Sequence, residues 1–320
     1  MTFALFNRPG TLVFLDDDPD YLEMLALVLP RQWHVRLFAQ PQDCIAKLRD
    51  EPPFWEADAW HQQQMVDHWR AGKPLVPQVL EYWDRSTERY ALSRICVVDY
   101  SMPGTDGLQV LSALRDWHGA RVLLTGQADE QIAVNAFNQG LIEQFIAKQM
   151  PDMSRHLVEV AQRLLDTPHP RHDQTWRATL TPAQHQLVCE PQVAAALKEF
   201  ARARWIEHVV IGDPFGVLGL DAGGHPGWLQ LEPHGGEEAL AEMATAAGFD
   251  ARAVDDIRAG RRLANVELAA MLQKPPQIAD TFTVGSPRLR GALFDVPTTG
   301  AVSGGYTAWL SRQPKRQVET

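Results

Sequence analysis

The residues of this chain that could do chemistry stand at the ends of apolar runs. Thr11-Leu12-Val13-Phe14-Leu15 leads into Asp16-Asp17-Asp18-Pro19, and Ile95-Cys96-Val97-Val98 leads into Asp99. Carboxylates crowded at one strand end repel each other, and such a cluster is commonly held together by a hard divalent cation with oxygen ligands. Two further runs end in groups of other kinds. Arg121-Val122-Leu123-Leu124 ends in the hydroxyl of Thr125, and Gln144-Phe145-Ile146-Ala147 ends in the ammonium of Lys148. Four strand ends thus offer an acid cluster, a lone aspartate, a hydroxyl and an ammonium.

Elements must bring these groups together. Runs that are apolar at every position, rather than alternately, read as strands buried on both faces of a parallel sheet covered by helices. Open α/β sheets place their chemistry at the carboxyl ends of such strands. Between the runs, Pro19 to Val28, Gln42 to Arg49, Leu108 to Arg115, Asp129 to Asn138 and Met153 to Leu165 carry helical spacing, and Val35-Arg36-Leu37-Phe38 is a further strand. Tyr100-Ser101-Met102-Pro103-Gly104-Thr105-Asp106-Gly107 is a turn-rich loop directly after Asp99.

The order, spacing and residue types of this segment, about residues 9–166, resemble a response-regulator receiver domain of two-component signalling. The resemblance implies a doubly wound, five-stranded parallel sheet of the flavodoxin type. It implies that Asp99 accepts a phosphoryl group from a histidine kinase. Asp16, Asp17 and Asp99, with the backbone carbonyl of Ser101, would hold Mg²⁺. Thr125 matches the switch hydroxyl, Lys148 the lysine that contacts the phosphoryl group, and Phe145 the aromatic rotamer switch. These roles are physically coherent, because a carboxylate attacks phosphorus only when the phosphoryl charge is neutralised and held in line. The added charge would draw Thr125 inward and let Phe145 turn into the vacated space. One position departs from the pattern: Lys148 is followed by Gln149, where the family usually has a proline.

With 320 residues the prior is two domains. A hydrophobic content of 45% and a charged content of 22% are those of a soluble globular protein, and the net charge of −10 argues against a general polyanion binder. Cys44, Cys96 and Cys189 have neither metal spacing nor an even number for a disulfide framework. With no signal peptide and no long apolar run, a cytoplasmic protein without a membrane segment is expected.

The expected division is a receiver over 1–166, a linker over 167–180 and an output domain over 181–320. An insert, 50–93, interrupts the receiver and is rich in large aromatics, among them Trp55, Trp60, Trp69, Tyr82 and Trp83. It reads as a helical hairpin packed on the receiver, because an unstructured loop of that length would be unusual. Its aromatics either glue it to that domain or form a dimer or partner surface.

In the output domain, Val193 to Trp205 is an amphipathic helix that would extend the linker as a stalk. A strand at Val209–Ile211 and a hairpin around Asp221–Gly227 come next, then three helical segments near 236–247, 250–259 and 262–273. Phe282–Val284, Arg290–Val296 and Tyr306–Leu310 read as a three-strand meander, an order similar to a PAS-type sensor domain, making the whole half α+β. Ser303-Gly304-Gly305 reads as a turn between strands. Ala244 to Ile257 resembles a helix-turn-helix, but Asp255 and Asp256 on its second helix would face phosphates with like charge. Glu238-Ala239-Leu240 matches a cyclic-di-GMP phosphodiesterase signature only by coincidence, since the acidic metal ligands that should accompany it are missing. His208, His225 and His234 lack metal spacing. Two outputs stay open: an interaction or ligand-sensing module, with a homodimer or partner protein as its readout, and an atypical transcription regulator. No independent catalytic set appears, so self-phosphorylation and dephosphorylation are the only reactions expected.

Overall fold

A computed structural model describes residues 3–126, 130–297 and 305–319. The chain forms two compact units, and it crosses between them repeatedly. One unit comprises Pro9–Asp58, Glu88–Thr167 and Leu310–Thr320; the other comprises Met1–Arg8, Ala59–Thr87 and Pro168–Trp309.

The first unit is built on a six-stranded, all-parallel sheet. Its order is Val318–Glu319, His34–Phe38, Thr11–Leu15, Ser93–Asp99, Ala120–Thr125 and Gln144–Ala147. Each central strand is buried along almost its whole length, so alternate residues feed two separate cores. Leu12, Phe14, Ile95, Val97 and Val122 pack with Leu22, Leu25, Leu157 and Val160 on one face. Val13, Leu15, Cys96, Val98 and Leu123 pack with Cys44, Leu48, Val110 and Leu111 on the other. This double burial is why the runs read as uninterrupted apolar sequence. The first strand pair puts Asp16 beyond Leu15, and the next ends on Asp99, so both acids emerge at the same edge of the sheet. The five expected strands are all present. A sixth, from the far C-terminal segment, extends the sheet beyond His34–Phe38.

That sixth strand was not expected. Glu319 O accepts from Ala39 N at 3.1 Å, and Arg36 Nε donates to Glu319 Oε1 at 2.6 Å. Arg316 donates to four carbonyls, of Ala26, Leu29, Pro30 and Trp33, which closes the C-terminal end of helix Pro19–Val28.

The second unit holds an antiparallel six-stranded sheet in the order Phe6–Asn7, Glu207–Gly212, Phe215–Leu220, Pro226–Pro233, Ser286–Asp295 and Phe282–Val284. Helices cover it, giving the α+β half that the sequence implied. Several assignments shift. The insert is a helical hairpin, Pro52–Arg70 and Leu75–Arg85, but most of it does not belong to the first unit, where it was expected to pack. Met65, Val66, Leu75, Val76, Val79 and Trp83 enter the core that contains Trp176, Val210 and Trp228, and Trp69 packs against it. Of the insert's tryptophans only Trp55 stays in the first unit, stacked on His118 at 4.9 Å, while Trp60 is 57% exposed. An amphipathic hairpin joins whichever apolar surface it meets, and its own sequence does not name that surface.

The expected linker is also structured. Residues Pro170–Arg177 form a helix whose Trp176 is fully buried and donates to Gln62 Oε1 at 2.9 Å. The helix Pro191–Arg204 is no free stalk, because Val193, Ala194, Leu197 and Ala201 are buried against the same core. Gly305–Ser311 is a helix rather than the last strand of a meander, which removes the feature on which the PAS-like order depended. The segment near 262–273 is a short strand, Arg262–Ala264, followed by the helix Val266–Leu272. Asp129 and the Ser303-Gly304 pair of the expected turn lie outside the described residues.

Candidate functional site

Asp16, Asp17 and Asp99 converge. One oxygen from each carboxylate lies within 4.8 Å of the others, with Asp16 and Asp99 buried and Asp17 exposed. The third acid of the run serves the helix instead. Asp18 caps Pro19–Val28, accepting from Asp20 N at 3.0 Å and Tyr21 N at 3.3 Å. Asp18 N donates in turn to Asp16 Oδ1 at 3.0 Å, which fixes the orientation of that carboxylate.

Lys148 closes the pocket. Its Nζ lies 2.7 Å from Asp16 Oδ2 and 2.8 Å from Asp99 Oδ1. Lys148 N donates to Thr125 O at 2.9 Å, so the backbone ties the hydroxyl-bearing strand end to the lysine. The Lys148–Gln149 peptide is trans, and this hydrogen bond holds the loop without a proline. Thr125 is 0% exposed, and its Oγ1 has no hydrogen-bond partner among the described residues. A buried hydroxyl without a partner costs free energy, so it is a group waiting for an acceptor. Phe145 is half-buried and packs against the apolar face formed by Val98, Leu123 and their neighbours.

The loop after Asp99 is held by the backbone. Tyr100 N donates to Leu124 O, and Gly107 N donates to Tyr100 O, each at 2.9 Å. Gly107 has no substitute here, because a Cβ would lie 2.3 Å from Asp99 O. Gly104 sits at φ +81°, in the left-handed region where a side chain is strained. Ser101 pairs with Asp106 in a two-residue ladder. Asp106 caps the next helix, Gly107–Ala113, by accepting from Gln109 N at 2.8 Å.

Three carboxylates meet one ammonium, so the pocket carries excess negative charge. Burial pushes the carboxyl groups of Asp16 and Asp99 above the usual carboxylate range, even though hydrogen bonds from Lys148 oppose it. For Lys148 burial alone would favour the neutral amine, but the hydrogen bonds to Asp16 and Asp99 outweigh it and raise its pKa. Burial is thus the main cause for the two carboxyl groups, and the two carboxylates together outweigh it for Lys148. Three converging hard oxygen donors fit a small divalent cation, and Thr125, at the strand end bonded by Lys148 N, carries a buried hydroxyl that could serve an anion's oxygen.

Sequence reasoning missed Tyr21, whose ring lies under Lys148 Nζ at 4.7 Å from its centre. The available signal was its place in the first turn of the helix that begins at the acid cluster. The residues named as a helix-turn-helix lie elsewhere, in the second unit. Ala244, Val254 and Ile257 are buried in its core, and Gly248 makes the turn at φ +89°. Their basic neighbours are occupied: Arg258 Nε lies 2.9 Å from Glu238, Arg262 Nε lies 3.1 Å from Asp280, and Arg261 pairs with Asp256. No helix among the described residues is long and apolar enough to cross a membrane.

No family model matches the sequence, and no curated protein matches it. Among solved structures, the chain is similar to the Legionella pneumophila response regulator LqsR, with 20% sequence identity, 98% of each chain covered and a TM-score of 0.71. Response regulator receiver domains from Clostridium thermocellum and Methanospirillum hungatei align with 49% of the chain, at 13% and 16% identity and TM-scores of 0.31 each. The fold of the whole chain is therefore similar to that of LqsR, with an all-parallel α/β unit and a second, antiparallel-sheet unit.

Proposed function

We propose that this protein, with its response-regulator fold, is a two-component response regulator that accepts a phosphoryl group on Asp99 from a histidine kinase. The observation that carries the reading is the convergence of Asp16, Asp17, Asp99 and Lys148 at one sheet edge, with Lys148 N bonded to the strand end that carries the unpartnered Thr125 hydroxyl. Mg²⁺ held by Asp16, Asp17 and Asp99, with the Ser101 carbonyl as a further oxygen, would neutralise charge on the phosphoryl oxygens.

The chain's own residues supply the rest. An Asp99 carboxylate oxygen forms the new bond to phosphorus as the donor's nitrogen or oxygen leaves. Lys148, already within reach of Asp99, balances the charge that the phosphoryl group brings. The Thr125 hydroxyl gains the acceptor it lacks, and Phe145, packed at the edge of its core, fills the space behind it. Self-phosphorylation from a small-molecule donor and dephosphorylation are the only reactions assigned.

The second unit is read as an interaction module whose output is contact with a partner protein or a second copy of the chain, in the cytoplasm. What favours this over sequence-specific DNA binding is the fate of the arginines near the helix pair. Arg258, Arg261 and Arg262 are each engaged by an acid of the same unit, and Asp255 is exposed beside them. The test of the central reading is incubation of the full chain with radiolabelled acetyl phosphate, with and without Mg²⁺. Label should enter the wild type only with Mg²⁺ and should not enter Asp99→Asn; equal labelling of both proteins would overturn the assignment.

A further inference from the structure

Lys148 is held from three sides, and only two of them are carboxylates. Besides Asp16 and Asp99, the ammonium stands over the ring of Tyr21, 4.7 Å from its centre. Tyr21 is itself fixed at both ends. Its backbone N–H donates to the capping Asp18, and its hydroxyl donates to Met153 Sδ at 3.7 Å. The ring therefore spans from the acid-bearing loop to the start of helix Met153–Leu165, just beyond the lysine. Burial and the nearby charges of Asp16 and Asp99 raise the phenol's pKa, so the face presented to Lys148 is that of a neutral ring.

We propose that Tyr21 is a positioning residue for phosphoryl transfer, keeping Lys148 at the pocket while its carboxylate partners are engaged elsewhere. The inference rests on Asp99 being the phosphoryl acceptor. If Asp16 and Asp99 held a divalent cation, their oxygens would be less available to the Lys148 ammonium, and like charge would push it away. An aromatic face offers no oxygen to a hard cation, so the Tyr21 contact survives the competition. The backbone at Lys148 is tied to Thr125 O, but nothing in that hydrogen bond fixes the long side chain, so the ring contact acts where the backbone cannot.

The experiment compares wild type, Tyr21→Phe and Tyr21→Leu in the full chain. Two readouts are taken: the rate of labelling by acetyl phosphate with Mg²⁺, and the mobility of the Lys148 side-chain terminus by NMR relaxation before and after Mg²⁺ is added, the difference between variants being expected after addition. Phenylalanine keeps the ring and should match wild type in both. Leucine keeps an apolar side chain without the ring's quadrupole, and should slow labelling about two- to fivefold, the size of a partly exposed cation–π contact, while loosening Lys148. A labelled wild type with Leu and Phe variants indistinguishable in both readouts would overturn the role of Tyr21 alone. A wild type that takes no label would overturn the reading of Asp99, and the role of Tyr21 with it.

Discussion

Thr125 shows how a single residue can be poised by what it lacks. Its hydroxyl is fully buried and without a partner among the described residues, a state that costs roughly 1–3 kcal/mol. Replacing it with the nearly isosteric valine removes that cost. Thr125→Val is therefore expected to raise the unfolding free energy of the unphosphorylated protein by about 1 kcal/mol, measured by urea titration, while abolishing any phosphorylation-dependent change in the surface around Phe145. A loss of stability instead would mean that the hydroxyl already has an acceptor. At this scale the sequence was most legible. Asp16, Asp17, Asp99 and Lys148 could be placed together because each ends an apolar strand, and parallel strands deliver their ends to one edge. Tyr21 was not legible, because nothing local says that a helical tyrosine will lie under a lysine so far along the chain.

At the scale of elements, local pattern and destination come apart. The helices Pro52–Arg70 and Leu75–Arg85 were readable from spacing, but the core they enter was not. The same holds for Pro170–Arg177, where the prolines and histidines around it look like a linker until Trp176 finds a core to fill. Gly305–Ser311 failed in the other direction, since Tyr306 to Leu310 is rich in residues that favour strands and yet forms a helix. Trp83 offers the sharpest test of where the insert belongs. It is 0% exposed within the core of the second unit, so Trp83→Ala should cost about 3–5 kcal/mol there, read as an earlier urea transition. Labelling of Asp99 should persist. Loss of labelling with no earlier transition would place Trp83 in the first unit after all.

At the scale of the whole molecule, the two units are interleaved along the chain rather than strung in sequence. Phe6–Asn7 form a strand of the antiparallel sheet, and Val318–Glu319 form a strand of the parallel one. Such non-local pairing escapes any reading by windows, because a two-residue strand carries no periodicity. The returning segment is anchored mainly by Arg316, whose guanidinium satisfies four carbonyls at the end of helix Pro19–Val28. Alanine at that position leaves those carbonyls without their charged donor. Arg316→Ala is expected to destabilise the parallel-sheet unit by about 2–3 kcal/mol in urea unfolding and to expose residues 312–319 to protease. Unchanged stability and an uncut segment would show that the strand pairing alone suffices.

The most direct test of the central claim is chemical mapping of the modified residue. An acyl phosphate on an aspartate is reduced by borohydride to homoserine, a change that peptide mass spectrometry locates. After treatment with acetyl phosphate and Mg²⁺, the peptide spanning Ile95 to Gly107 should carry homoserine at position 99, and omission of Mg²⁺ should abolish it. Homoserine at position 16 or 17 in place of 99, or an unmodified Asp99 in a protein that has taken label, would contradict the account.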